Sequence, residues 1–136
     1  MMMNNEFVPY DIALAMKELG FDEKCYGYYT EHKEYFYFDV DDLSSAYTKN
    51  MNNQIVNSVD DLECTAPLYQ QAFRWFREKY DLHIGICHQV NGKFDCWTNK
   101  GNLLENGKYC DIDSYEEAEL ACLRKLIEIV NQNKDE

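Results

Sequence analysis

The side chains that could do chemistry in this chain are its histidines, cysteines and acidic clusters, and their spacing decides how they meet. Asn91-Gly92 lies between two strand-like runs and predicts a hairpin closed by a two-residue type I′ loop. That loop sets a register: Val90 opposes Lys93, His88 opposes Asp95, Cys87 opposes Cys96 and Ile86 opposes Trp97. A histidine oriented by a carboxylate is half of a catalytic triad. Cys87 and Cys96 fall on the opposite face, so no nucleophile serves His88. The pair then reads as a cross-strand ion pair worth at most about 1 kcal/mol. Alternation puts Ile84, Ile86 and Trp97 on one face, and His83, Cys87, Phe94 and Cys96 on the other. His83, Cys87 and Cys96 are three zinc-type ligands, with Cys110 as a fourth. Their spacing fits no zinc module, and none of the six cysteines forms a C-x-x-C pair. The expectation is therefore no metal and no cofactor, with the thiols acting as small apolar groups.

The acidic runs at Asp39-Asp42, Asp60-Glu63 and Asp111-Asp113 invite a calcium reading. An EF-hand loop begun at Asp39 would need Gly at position 44 and Glu at position 50, where Ser44 and Asn50 stand. They read as solvated turns. No phosphate-cradling glycine loop and no G-x-S-x-G elbow occurs. No catalytic residue is assigned, and the balance leans away from an enzyme.

Thirteen basic against twenty-five acidic residues give a net charge of -12. That field argues against general nucleic-acid binding unless a local basic patch overrides it, because phosphate affinity comes from cations that displace counterions. A basic groove on another protein is attracted by the same field. No run of about 18 apolar residues predicts a membrane span. The start, Met1 to Glu6, lacks the basic and apolar regions of a signal peptide. Thiols kept inside the cell stay reduced.

The elements that must position these groups follow from periodicity. Val8, Ile12, Ala15, Met16 and Leu19 recur at helical spacing, started by Pro9 and ended by Gly20 as a left-handed cap with Phe21 folding back onto Met16. Residues 25–38 read as an aromatic hairpin turning at His32 and Lys33, so that Tyr28 faces Tyr37 and Tyr29 faces Phe36. Tyr26, Tyr28, Tyr35 and Tyr37 then share one face, and Tyr29, Phe36 and Phe38 the core face. Residues 39–65 are polar and irregular, with a short strand at Gln54-Ile55-Val56. A second helix runs from about Pro67 to Tyr80, with Tyr69, Ala72, Phe73, Phe76 and Tyr80 as its apolar stripe. Gln70, Gln71, Arg74, Arg77 and Glu78 face away from it. After the Asn91-Gly92 hairpin an edge strand is expected near Lys108 to Ile112. The last helix opens with the capping box Ser114 to Glu117 and continues to about Asn131. Its apolar positions are Tyr115, Ala118, Cys122, Leu123, Leu126, Ile127 and Val130. The reading is one α+β domain over residues 1–136, in the order α-ββ-α-ββ-(β)-α, with antiparallel hairpins and about three helices. The two αββ plans repeat at a spacing of roughly 60 residues, as an internal duplication would.

Three stretches carry a resemblance: FVPYDIALAMKELGF from Phe7, TAPLYQQAFRWFREKY from Thr65 and YEEAELACLRKLIEIV from Tyr115. They resemble small uncharacterised phage and prophage proteins of Bacteroides-like bacteria, a group with no established activity. The resemblance implies a mobile-element setting and a bacterial cytoplasm, and it carries no catalytic residue. Together with charge and composition it predicts a non-catalytic accessory protein that binds a host or viral macromolecule, for instance as a host-defence inhibitor. The expected partner is a protein, with room for a homo-oligomer. The candidate binding residues are Tyr26, Tyr28, Tyr35 and Tyr37, because exposed aromatics anchor interfaces, with Arg74 and Arg77 as anion contacts. The alternative is a protein that binds or sequesters a small molecule such as a nucleotide, or an enzyme of unfamiliar type. A virion component is a third reading.

Overall fold

Pro9, in an extended conformation at φ -68 and ψ 164, starts α1 (Tyr10–Glu18) in a computed structural model that describes residues 6–31, 35–37, 52–57, 62–99 and 111–134. The remaining elements are β1 (Gly27–Thr30), β2 (Tyr35–Tyr37), α2 (Asn53–Asn57), β3 (Leu62–Ala66), α3 (Tyr69–Tyr80), β4 (Ile84–His88), β5 (Phe94–Thr98) and α4 (Tyr115–Lys134). The fold is α+β, with two antiparallel hairpins and three longer helices in the expected order. The short α2 and the strand β3 are additions to that order. The chain divides into two compact units, Met1–Tyr69 and Gln70–Glu136.

In the first unit α1 buries Ile12, Ala13 and Met16. It ends as its sequence dictates: Gly20 takes φ 98, its N–H reaches the Lys17 carbonyl at 3.0 Å, and the Phe21 N–H reaches the Met16 carbonyl at 2.9 Å. This is the Schellman arrangement, and it needs a residue without a Cβ penalty at the left-handed position. The sheet has the order β2-β1-β3, all neighbours antiparallel. Val8 N–H donates to the Pro67 carbonyl at 2.9 Å, so the chain entering α1 lies beside the end of β3.

The region expected to be irregular contributes both α2 and β3. Gln54 to Val56 is helical and not a strand, because side chains from elsewhere cap and anchor it. Asp22 Oδ1 accepts from the Gln54 N–H at 2.9 Å, at the opening turn of α2. Asn53 is 5% exposed; its Nδ2 donates to the Phe21 carbonyl at 2.7 Å and its Oδ1 accepts from the Thr65 N–H at 2.9 Å. One buried amide thus joins the α1 turn, α2 and β3. Residues 39–51 and 58–61 lie outside the described residues.

In the second unit α3 ends at Asp81, a non-glycine residue at φ 56. Short polar side chains tolerate that conformation. The β4–β5 hairpin differs from expectation by one residue: Ile86 opposes Cys96, Cys87 opposes Asp95 and His88 opposes Phe94. The loop is three residues long. Gly92 N–H donates to the Gln89 carbonyl at 3.0 Å, Gly92 takes φ 84, and Gln89 N–H donates to the Lys93 carbonyl at 2.8 Å. A type I′ loop needs positive φ at both central residues, and here Gly92 alone has it. Asn91 instead accepts from the Lys93 N–H through Oδ1 at 2.9 Å. The expected edge strand is represented by a bridge between Phe94 and Ile112; residues 100–110, including Cys110, lie outside the described residues.

Ser114 caps α4, its Oγ accepting from the Glu117 N–H at 3.1 Å. The helix packs on β4 and β5. Ala118, Cys122, Leu123, Leu126, Ile127 and Val130 are buried as expected, with Ile129 beside them. Tyr115, expected among them, is 43% exposed. It lies at the first turn and packs edge-on to Phe94 at 5.9 Å.

Replacing Asn53 by Ala strands the Thr65 N–H and the Phe21 carbonyl in the interior, which costs about 2–3 kcal/mol. Urea unfolding is expected to show that loss. Asn53→Asp is not expected to recover it, because a carboxylate cannot donate to Phe21.

Candidate functional site

The aromatic hairpin of the first unit pairs Gly27 with Tyr37, Tyr28 with Phe36 and Tyr29 with Tyr35. The expected pairs were Tyr28 with Tyr37 and Tyr29 with Phe36, so the register is shifted by one. It is symmetrical about position 32 and not about the 32–33 bond. A slip of one residue exchanges the faces. The four-tyrosine face therefore does not form: positions 35 and 37 stand opposite 29 and 27, apart from Tyr28. Phe38 lies outside the described residues. Tyr26 is 44% exposed and Tyr28 is half-buried. Tyr29 belongs to the core. Its hydroxyl donates to the Val8 carbonyl at 2.7 Å, and its ring meets Tyr10 edge-on at 5.5 Å. Burial above all pushes its phenol well up from the ordinary tyrosine range, helped by Cys64, Tyr69 and Asp11.

The second register removes both constellations built on the other hairpin. His88 stacks on Phe94 at 4.8 Å, while Asp95 accepts through Oδ1 from the Asp111 N–H at 3.0 Å. Cys87 is exposed, on the face opposite to buried Cys96. His83 Nε2 lies 3.0 Å from Asp81 Oδ1. Among the described residues no group of three His, Cys, Asp or Glu side chains could hold a metal ion. Of the acidic runs, Asp113 pairs with Lys93.

Two of the buried thiols are held protonated. Burial pushes Cys64 up to about 12, with Lys17 opposing and Glu63 adding to the shift. Cys122 is held protonated by its hydrogen bond with Cys96 and then by burial.

The arginines separate. Arg74 is exposed on α3. Arg77, together with Gln70 and Phe73 on the same helix, lines a cavity of about 170 Å³. Leu82, His83 and Ile84, on the chain leaving α3 and entering β4, line it too, as does Tyr115 of α4. Gln70 and Arg77 were expected to face away from the stripe that holds Phe73. At positions 70, 73 and 77 the three follow one helical row, and Arg77 sits at the edge of the apolar stripe. Tyr115 was missed because its place in the periodic pattern assigned it to the core.

Trp97 was also missed. It stands opposite Gly85, with its indole atoms 2.2–2.3 Å from where a Gly85 Cβ would lie, and it is 44% exposed. Gly85 is required here by close approach: the ring lies flat across the neighbouring strand. The expected face of Ile84, Ile86 and Trp97 is split, since Ile84 and Ile86 share theirs with Cys96.

Charge is also unevenly divided. Residues 1–69 hold thirteen acidic and four basic side chains and no arginine; residues 70–136 hold twelve acidic and nine basic, including all three arginines. No described helix is long and apolar enough to cross a membrane. No protein-family model, curated protein or solved structure matches the chain.

Two outcomes are expected. Iodoacetamide at neutral pH should label Cys87 in the folded protein and spare Cys25, Cys64, Cys96 and Cys122 until the chain is unfolded, as peptide mass mapping would show. Gly85→Ala should drive the Trp97 indole off the sheet, altering its fluorescence and quenching with little loss of stability, because an exposed side chain can swing away.

Proposed function

We propose that the chain is a non-catalytic accessory protein of the phage or prophage type, acting in the bacterial cytoplasm by binding a partner protein through a basic surface of that partner. The carrying observation is the charge of the first unit, thirteen acidic against four basic residues, beside the exposed Tyr26. Asp22 and Glu31, both exposed, flank β1 on either side. An anionic surface of this kind steers association with a basic groove and repels nucleic acid. Tyr26 and half-buried Tyr28 supply aromatic contact at low entropy cost, and an aromatic face also attracts lysine and arginine. A protein that normally grips nucleic acid offers such a groove, which is the chemistry a host-defence inhibitor would exploit. Tyr35 and Tyr37, by their register, are not part of the Tyr28 face, and Arg74 and Arg77 belong to the other unit. Sequestration of a whole nucleotide fits less well. The cavity of about 170 Å³ is smaller than the roughly 300–1,000 Å³ of sites for drug-sized ligands.

The test is capture by the tagged full chain from host lysate, followed by kinetics with the partner identified by mass spectrometry. The association rate is expected to fall by about tenfold or more from low to high salt. Tyr26→Ala should weaken binding by about tenfold at unchanged melting temperature, and a polyanion such as heparin should compete. An association rate indifferent to salt, or full affinity in the Tyr26→Ala variant, would overturn the reading.

A further inference from the structure

The cavity beside Arg77 is independent of the acidic first unit, and its lining specifies a ligand. Its floor is apolar: Phe73 is 5% exposed and Leu82 3%, with Ile84 half-buried beside them. Its rim is polar and exposed, formed by Gln70, Arg77, His83 and Tyr115, with Gln70 donating to Glu119 Oε2 at 3.4 Å. His83 is engaged with Asp81 at 3.0 Å. The Arg77 carbonyl accepts from the Asp81 N–H at 3.1 Å, but its guanidinium has no hydrogen bond or ion pair with any described residue. In a chain of net charge -12, that leaves an unmatched guanidinium over an apolar floor. A guanidinium presents a planar fork that fits a carboxylate or phosphate with two parallel bonds.

Size and charge narrow the choice. A cavity of about 150 Å³ takes one benzene ring, and this one has about 170 Å³. One ring with one small head group fills it. Glu119 and Glu116 act on Tyr115 at the rim, and after burial they are the carboxylates that raise its phenol above the ordinary value. That negative surround tolerates a single added charge better than two, which favours a carboxylate over a phosphate monoester. The geometry points to a binding site for a monocyclic aromatic carboxylate, with the carboxylate on Arg77 and the ring against Phe73, Leu82 and Ile84.

The probe is benzoate, titrated into the full chain and followed by amide chemical shifts. Saturable shifts at Leu82–Ile84 and Tyr115 are expected, with Kd on the order of 1 mM. Arg77→Gln, a change at an exposed side chain, should weaken binding by about tenfold or more while leaving circular dichroism unchanged. Benzyl alcohol, which keeps the ring and lacks the charge, should bind weaker than benzoate by a similar factor. Shifts that fail to saturate, or that persist unchanged in Arg77→Gln, overturn the site. Phenyl phosphate binding more tightly than benzoate overturns the carboxylate assignment, and inorganic phosphate matching benzoate overturns the role of the ring.

Discussion

The first unit depends on one buried amide. Asn53 lies far in sequence from Phe21 and twelve residues before Thr65, yet it bonds to the backbone of both. A buried amide with both ends engaged rewards one arrangement and penalises every neighbour that leaves a group unpaired. The α1 turn brings the Phe21 carbonyl into place, Asp22 meets the next residue of α2, and the Thr65 N–H ties β3 to α2. Thr65 and Cys64 are fully buried there. The edge-on Tyr10–Tyr29 contact and the Tyr29 hydroxyl bond to Val8 then close the other side of the sheet.

The second unit is held differently, by apolar packing of α4 on a hairpin. Cys96 and Cys122 meet inside it as hydrogen-bonded thiols. The side of the hairpin away from α4 carries Trp97 across Gly85 and the exposed Cys87. Both units use a two-residue period to separate a core face from an outer face, so one residue of register decides which side chains can serve function.

That sensitivity explains what was legible in the sequence. Local signals sufficed where a single residue fixes the backbone: Gly20 ends α1, and Ser114 caps α4. They sufficed for helix type and for the order of the hairpins. They failed on registers, because Asn91-Gly92 is compatible with two loop lengths and the 32–33 turn has no glycine to fix its own. They failed on α2, whose partners Asp22 and Phe21 lie 32 residues away, and on β3, which is held by Asn53 and by pairing with β1. Of the candidate site residues, Tyr26 is exposed just before β1, Tyr28 is half-buried within it and Arg77 lines a cavity; the grouping of Tyr28 with Tyr35 and Tyr37 was lost with the register. Trp97 and Tyr115 were hidden because exposure of an aromatic at a strand or helix position depends on what packs over it.

The central claim is that the acidic first unit is the binding part of the chain. Amide hydrogen exchange of the full protein, alone and with its captured partner, tests it directly. The account predicts slowed exchange over residues 22–31, spanning Asp22, Tyr26 and β1, with the β4–β5 hairpin unchanged. Protection confined to residues 82–98, with none at Tyr26, would contradict it and transfer the interface to the Trp97 face.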